Sequence, residues 1–299
     1  MYDVIILGAG PAGMTAAVYS ARQKMKTLVL SDNVGGQTLW SWDIRNYLGY
    51  NLISGFELTE KFKAHVKEYE VEIHENERAI DLESIRDGFL VKTRKGAYES
   101  RTVIVCSGKR PMQLKVPGEE RFRGKGITHC ATCDGPLFAE KDVAIIGGGN
   151  SALIAAMQMV KIASKVYIIN NIRELGGERI RKEKILKSPK VQVFNNSTVE
   201  RINGSQLVGS ISINTPGGKK KLDVMGVIIE IGYEPNVEFA SILAKNQNNE
   251  IIVNCRTETN VPGIFAAGDV TDVYGKQIII AAGEGAKAAM AAFNYISSK

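Results

Sequence analysis

The 299 residues are 44% hydrophobic and 23% charged, the composition of a soluble globular chain long enough for two domains of ordinary size. Four cysteines in a chain of this length exclude a disulfide-stapled scaffold, and no apolar stretch is long enough to span a bilayer. The net charge of +6 raises nucleic acid as a partner, but the cations are scattered. The one tight run, Lys219 to Lys221 behind Pro216-Gly217-Gly218, reads as the solvated end of a hairpin. Neither nucleic acid nor membrane is therefore expected as a partner, while the positive charge favours encounter with acidic proteins.

In chain order, residue 1 runs directly into VIILGAGPAG. That reads as a first strand rather than a signal peptide, and a cytoplasmic location is expected. A strand at 2–8, a glycine turn, an Ala-rich helical segment and a second strand at 27–30 make one βαβ unit. A helix around 56–69, alternating β segments over 71–105 and the segment VIVCSGKRP at 103–111 follow. DVAIIGG at 142–148, NSALIAAMQMV and VYII at 166–169 repeat the first unit. The β-rich runs VQVF, GSISI and VMGVIIEIG come next, then a strand EIIVN at 250–254, GIFAAGDV and a long Ala-rich helix. Two such units predict an α/β fold with two doubly wound, Rossmann-like dinucleotide-binding domains. The second is expected inside the first: 1–113 plus 247–299 as one discontinuous domain, 114–246 as the insert. Pro117-Gly118 at one crossing reads as a hinge.

Gly8-Ala9-Gly10-Pro11-Ala12-Gly13 fits G-x-G-x-x-G between a strand and a helix. The glycines permit the tight turn and let backbone approach a pyrophosphate at the helix N-terminus. Asp32, past the second strand, is a candidate for ribose hydroxyls, against the plainer reading of an exposed loop acid. Gly147-Gly148-Gly149-Asn150-Ser151-Ala152 fits the looser G-x-G-x-x-A. A nicotinamide dinucleotide there needs an acid after the second strand, or arginines for a 2′-phosphate. The positions available are Asn170, Asn171, Ile172 and Arg173. A second flavin nucleotide in this fold stays open.

Cys130-Ala131-Thr132-Cys133-Asp134 is the chemical centre. Cys-x-x-Cys closes a small disulfide ring and often carries one acidified thiol. Zinc is the rival, but a closed structural site wants four ligands, and the chain has three histidines and no second Cys-x-x-Cys. Cys106 and Cys255 stand alone in apolar runs. Asp134 is placed to move a proton to or from a leaving thiolate, or else merely caps a turn before Gly135.

The ordered set GAGPAG at 8–13, GGQ at 35–37, DIRNYLG at 43–49, CATCDG at 130–135, GGGNSA at 147–152, GIFAAGDV at 263–270 and KQIIIAAGEGAKAA at 276–289 resembles the low-molecular-weight thioredoxin reductases. It is equally similar to the reductase portion of the alkyl hydroperoxide reductase flavoprotein, and the resemblance covers essentially the whole chain. It implies an FAD-dependent disulfide reductase with Gly8, Gly10, Pro11, Ala12 and Gly13 at the pyrophosphate. Gly36, Gln37, Asn46, Ser107 and Gly108 would line the cofactor, with Gly268 and Asp269 at the ribityl–phosphate region and Gln277 and Ile278 at the ring. Cys133 would face the flavin, Cys130 would attack the partner and Asp134 would be the acid–base group. The resemblance further implies a homodimer with a thioredoxin-like partner, the inserted domain rotating between flavin and partner. Members of this family carry a basic HRR-x-x-x-R run where this chain has Asn170-Asn171-Ile172-Arg173-Glu174-Leu175. That departure resembles the NADPH-independent branch, so the expected donor is not NADPH, with reduced ferredoxin as the alternative. The thioredoxin-like extension of the peroxide-reductase flavoprotein is expected to be absent, and the dithiol carrier to be a separate protein.

Overall fold

The structure, a computed structural model, describes residues 1–40 and 44–298, apart from the side chains of Trp40 and Cys133. Asp43, the first residue of DIRNYLG, and the Cys133 side chain thus lie outside the described residues. The chain divides into two compact units, Met1–Arg110 with Glu234–Lys299, and Pro111–Tyr233. The crossings fall in the short strands Lys109–Pro111 and Tyr233–Pro235, and the return lies well before the expected 246/247. The reason is burial: Val237, Phe239, Ala240 and Leu243 pack with Leu7, Val105 and Ile264 in one core. Pro117-Gly118 is not at a crossing. The Ile202 amide donates to the Pro117 carbonyl at 2.9 Å, and a Cβ on Gly118 would stand 2.0 Å from the Ile202 carbonyl oxygen, so the pair is packed inside the inserted unit.

The first unit carries a seven-stranded sheet. Its opening strand Tyr2–Ala9 lies between Thr27–Val34 and Ala97–Val105, parallel to both, and Ile264–Ala266 adds to Ala97–Val105 in parallel. Such doubly covered strands must be apolar on both faces, and Val4, Ile5, Ile6, Val103, Ile104 and Ile264 are wholly buried. The helix Pro11–Arg22 starts with Pro at its first position, where a missing N–H costs nothing. It packs on the C-terminal helix Ile278–Ser297 through Ala12, Ala16, Ala17, Ala288, Ala289 and Ala292. The helix Gly55–Lys67 is set by a capping box between Ser54 and Glu57, which satisfies end donors reciprocally.

The inserted unit repeats the plan with a five-stranded parallel sheet in which Asp142–Ile146 lies between Lys165–Ile169 and Gly226–Ile229. Ile127–Thr128 pairs with the outer side of Gly226–Ile229. A three-stranded antiparallel sheet, Thr198–Gly204, Val208–Thr215 and Gly218–Asp223, completes the unit. Lys219 to Lys221 are exposed, but they lie within the last strand, paired with Ser212 to Asn214, and not in the hairpin turn before it. EIIVN is not a ladder strand. Ile251 makes isolated bridges to Lys245 and Thr271, and its amide and that of Ile252 bond to Val270 and Ala244, so loops on either side take the backbone groups a strand would offer. Among the described residues no helix is long and apolar enough to cross a membrane.

Candidate functional site

In the first unit the glycine motif forms a cradle whose members do different work. Gly8 has φ +111°, and a Cβ there would stand 2.3 Å from the Cys106 carbonyl oxygen; one on Gly13 would stand 1.8 Å from the Gly8 carbonyl oxygen. Gly13 lets the helix close on the end of the first strand, and Gly8 lets the turn pass the chain that leaves strand Ala97–Val105. Gly10 is different, because a Cβ on it would meet nothing within 4 Å. Gly10 is also the N-cap of Pro11–Arg22 and supplies no side-chain bond to the first-turn amides. That leaves the positive end of the helix dipole with donors facing an open space. Pro11 and Ala12 open the helix, with Ala12 buried.

Around this cradle the chain ties its loops down. The Ser31 hydroxyl accepts from the Ala9 amide at 3.0 Å and donates to the Asn33 carbonyl at 2.7 Å, while Asn33 Oδ1 accepts from the Gly36 amide at 3.0 Å. Asp32 lies within the second strand, which runs on to Val34, rather than past it; its carboxylate is exposed and 3.6 Å from Arg78. Gln37 Nε2 donates to the Lys109 carbonyl at 2.8 Å, and Asn46 Nδ2 to Gln277 Oε1 at 2.8 Å. Ser107 donates to the Asn236 carbonyl at 2.7 Å, Gly108 has φ +63°, and Gln277 stands at the N-cap position of the helix that Ile278 begins, without a side-chain bond to its amides.

Asp269 belongs to the same unit. Burial pushes its carboxyl pKa up, and the ammonium groups of Lys276 and Lys109 pull it back. Those lysines converge on Glu250, at 3.4 Å and 2.7 Å. Although burial opposes ionisation of Glu250, bonds from Lys109 and Asn246 outweigh it and hold the carboxyl at about 2. The Gly268 amide donates to Glu284 at 3.1 Å; burial pushes Glu284 up. Cys106, beneath the glycine turn, is fully buried and its thiol is pushed up by burial and by Glu284, so it is a packing residue and no nucleophile. Cys255 is exposed in a turn rather than in an apolar run. Sequence reading missed Ser31, Asn33, Lys109, Glu250 and Glu284. Lys109 stood within a quoted motif, but its partner is 141 residues away, and no local signal joins them.

The fit of these residues to FAD rests on the open, uncapped helix N-terminus at Gly10 for a pyrophosphate and on the half-buried Asp269 carboxyl as an acceptor for hydroxyls. Gly36, Gln37, Asn46, Ser107, Gly108, Gly268, Gln277 and Ile278 would line the remainder.

The glycine loop of the inserted unit has the same backbone: Gly147 has φ +129°, and a Cβ there would stand 2.1 Å from the Glu230 carbonyl oxygen. At the strand end Asn170 is 1% exposed, and its Nδ2 donates to the Ile172 carbonyl and Asn195 Oδ1, both at 2.9 Å. Asn171, Ile172 and Arg173 are exposed. Arg179 and Arg181 of the next helix already face Glu183 and Glu178, at 2.8 Å and 3.2 Å. Burial pushes the Glu230 carboxyl, beside this loop, up to about 7.

The redox turn lies in the inserted unit. Ala131–Asp134 is one helical turn, followed by the 3₁₀ turn Gly135–Phe138. Cys130 is disulfide-bonded, and Cys106 and Cys255 are free thiols, which sets Cys130 apart from a zinc ligand. The turn packs on the helix Asn150–Ile162: Gln158 Nε2 donates to Thr132 Oγ1 at 2.9 Å, and a Cβ on Gly135 would stand 3.2 Å from Met159 Sδ. Asp134 makes no cap bond to the following turn. Its carboxylate instead accepts from Thr128 Oγ1 at 2.5 Å, a partner sequence reading did not find. Burial lowers the His129 pKa, and a bond to the Ile229 backbone works against that shift.

Two dinucleotide folds, one carrying a disulfide-bonded Cys-x-x-Cys-Asp turn, define a nucleotide-linked redox protein. The chain belongs to the pyridine nucleotide-disulphide oxidoreductase family, whose profile matches residues 2–285. It is 39% identical over 299 residues to a Bacillus subtilis protein named NADH dehydrogenase and 38% identical over 303 residues to an alkyl hydroperoxide reductase subunit of Escherichia coli. Each match covers 99% of this chain and 58% of the relative, so the chain spans just over half the length of these curated relatives. Among solved structures, thioredoxin reductase of Lactococcus lactis superposes with a TM-score of 0.86 at 33% identity, covering 100% of both chains. A ferredoxin-flavin thioredoxin reductase from Clostridium acetobutylicum superposes with a TM-score of 0.56 at 31% identity, covering 99% of this chain and 98% of that one. These relatives support the resemblance read from the motifs.

Proposed function

We propose that this chain is an FAD-dependent disulfide reductase of the thioredoxin reductase type, acting on a thioredoxin-like dithiol partner. The observation that carries the reading is the redox turn, in which a disulfide-bonded Cys130 and the carboxylate of Asp134 share one short segment. Bound FAD, once reduced by the donor, would supply the two electrons that open the Cys130/Cys133 disulfide to a dithiol. Thereafter Cys130, as thiolate, attacks the partner's disulfide: a mixed disulfide forms, the partner's S–S bond breaks and one partner sulfur leaves. Cys133 then attacks the Cys130 sulfur, expelling the second partner sulfur. The pair ends oxidised and the partner ends as a dithiol, with Asp134 relaying protons to the leaving thiolates. The Cys133 assignment rests on sequence position. The working species in this reading is a homodimer, and Leu48, Phe56 and Tyr274, 89%, 64% and 98% exposed, give the first unit apolar surface for contacts.

The donor in this proposal is a protein of low potential rather than NADPH. A 2′-phosphate is costly to desolvate unless cations meet it, arginine best through paired bonds. Asn170 spends its donors within the protein, and Arg179 and Arg181 are engaged by acids. The net charge of +6 suits an acidic donor such as ferredoxin, and the Clostridium neighbour's name carries that donor. A nicotinamide donor is the second reading, favoured by the retained glycine loop and by the name of the Bacillus relative. A redox sensor without turnover is the third reading, disfavoured by Asp134, whose carboxylate a mere sensor does not need.

Anaerobic stopped-flow reduction, followed by turnover with a thioredoxin, tests the proposal. Ferredoxin should bleach the flavin in a salt-sensitive step, and Cys130→Ser should abolish reduction of thioredoxin. Fast, saturable bleaching by micromolar NADPH would refute the donor assignment. Full turnover by Cys130→Ser would refute the assigned thiol chemistry.

A further inference from the structure

We propose that Thr128 is the positioning residue of the redox turn, its single hydroxyl setting both the Asp134 carboxylate and the entry of the chain into Cys130. This inference rests on the disulfide-reductase reading and deepens it. Thr128 Oγ1 lies 2.5 Å from Asp134 Oδ2, 3.1 Å from the Cys130 amide nitrogen and 3.5 Å from the Cys130 carbonyl oxygen. A hydroxyl has one proton to give and two lone pairs to accept with. The proton goes to the carboxylate, the nearest and charged acceptor, and a lone pair takes the Cys130 N–H. The 3.5 Å contact is then a near approach and no bond.

The hydroxyl is itself held. Thr128 ends the short strand Ile127–Thr128, in register with Ile228 of the central sheet, and is 5% exposed. A β-branched residue in a strand has few rotamers to choose from. The sheet thus reaches the redox turn through one side chain, while the Asp134 amide closes the turn on the Cys130 carbonyl at 3.1 Å. Asp134 makes no bond to the turn that follows it, so the Thr128 hydroxyl is what orients its carboxylate.

The test uses the FAD-loaded protein reduced anaerobically by dithionite and then freed of dithionite and sulfite by gel filtration. It is mixed in single turnovers with 5,5′-dithiobis(2-nitrobenzoic acid) as the disulfide, the limiting rate standing for kcat and the half-saturating probe concentration for KM, so that neither the natural donor nor the natural partner enters. Thr128→Val keeps the shape and removes the hydroxyl. It should lower kcat at least tenfold, with KM, FAD content and melting temperature close to those of the parent protein. Thr128→Ser, which restores the hydroxyl, should stay within about threefold of the parent. Asp134→Asn should be slow, and Thr128→Val should slow Asp134→Asn by far less than it slows the parent, because most of the hydroxyl's effect passes through that carboxylate and only the Cys130 amide contact remains to be lost. Parental turnover by Thr128→Val, failure of Thr128→Ser to recover it, or effects of Thr128→Val and Asp134→Asn that multiply would each overturn the proposal. An unsubstituted protein inert towards the probe would overturn the disulfide-reductase reading beneath it, and the positioning role with it.

Discussion

Gly10 and Gly13 stand three residues apart in one motif, and substitution with alanine should separate their roles. At Gly13 an added Cβ would stand 1.8 Å from the Gly8 carbonyl oxygen, so helix and strand must part. Overpacking costs about 1–3 kcal/mol, and the upper end applies because the obstacle is backbone. Alanine returns up to about 1 kcal/mol of helix propensity. The net loss of about 2 kcal/mol corresponds to a Tm lower by roughly 4–8 °C for a unit of this size. At Gly10 the backbone sits at φ −75° and ψ −172°, which alanine adopts freely, and its Cβ meets nothing within 4 Å. Reduced freedom of the unfolded chain, worth about 0.4–1 kcal/mol, offsets the poorer N-cap, so the apoprotein should melt within a degree or two of the parent. That Cβ does project into the space over the helix N-terminus, where the pyrophosphate must approach. FAD should therefore bind at least tenfold more weakly, a loss of about 1.4 kcal/mol. Thermal unfolding of the flavin-free proteins and titration of FAD by fluorescence quenching measure the two effects. An apo Gly10→Ala protein that melts as low as Gly13→Ala, or one that binds FAD as tightly as the parent, would refute this division of roles.

Glu250→Gln leaves Lys109, 15% exposed at its side chain, without its ion-pair partner, and should cost about 2–3 kcal/mol at pH 7. Because the folded-state pKa of Glu250 is held down at about 2, its contribution is complete above the unfolded carboxyl range and lost as pH falls towards 2. The melting curves of the parent and Glu250→Gln should accordingly converge between pH 5 and 2, and a constant gap would refute the pairing. Glu230 has the opposite sign: its folded pKa is raised to about 7 by burial, so it costs stability progressively as pH rises from the unfolded carboxyl range to about 7, and the loss levels off above that. Glu230→Gln should gain on the parent in Tm from about pH 5 to pH 7 and hold that gain above pH 7, whereas parallel pH profiles would show the carboxyl to be solvated.

Local signals were enough to read the two glycine turns, the strands and helices flanking them, and Cys130-x-x-Cys133-Asp134. Each such signal is a backbone or chemical demand met within a few residues: left-handed or close-packed glycine, Pro11 at a helix start, two thiols on one turn. The ends of the inserted unit were less legible, because 234–246 reads as loop until Val237, Phe239 and Leu243 are seen to fill a core made by strands from the opposite end of the chain. EIIVN failed as a strand for the same reason, since a ladder needs a neighbouring partner strand and Ile251 meets only isolated bridges. The partners that tune the site were invisible for want of proximity in sequence: Lys109 and Glu250 are 141 residues apart, and Gly268 meets Glu284 only once the C-terminal helix has packed. Thr128 is only six residues from Asp134, yet nothing in TH before a Cys-x-x-Cys announces which of its neighbours a hydroxyl will bond. Composition and period determine which segments fold into strands and helices; burial of apolar faces against distant segments decides which side chains then meet, and a hydrogen bond has no sequence signature until that packing has fixed its two ends.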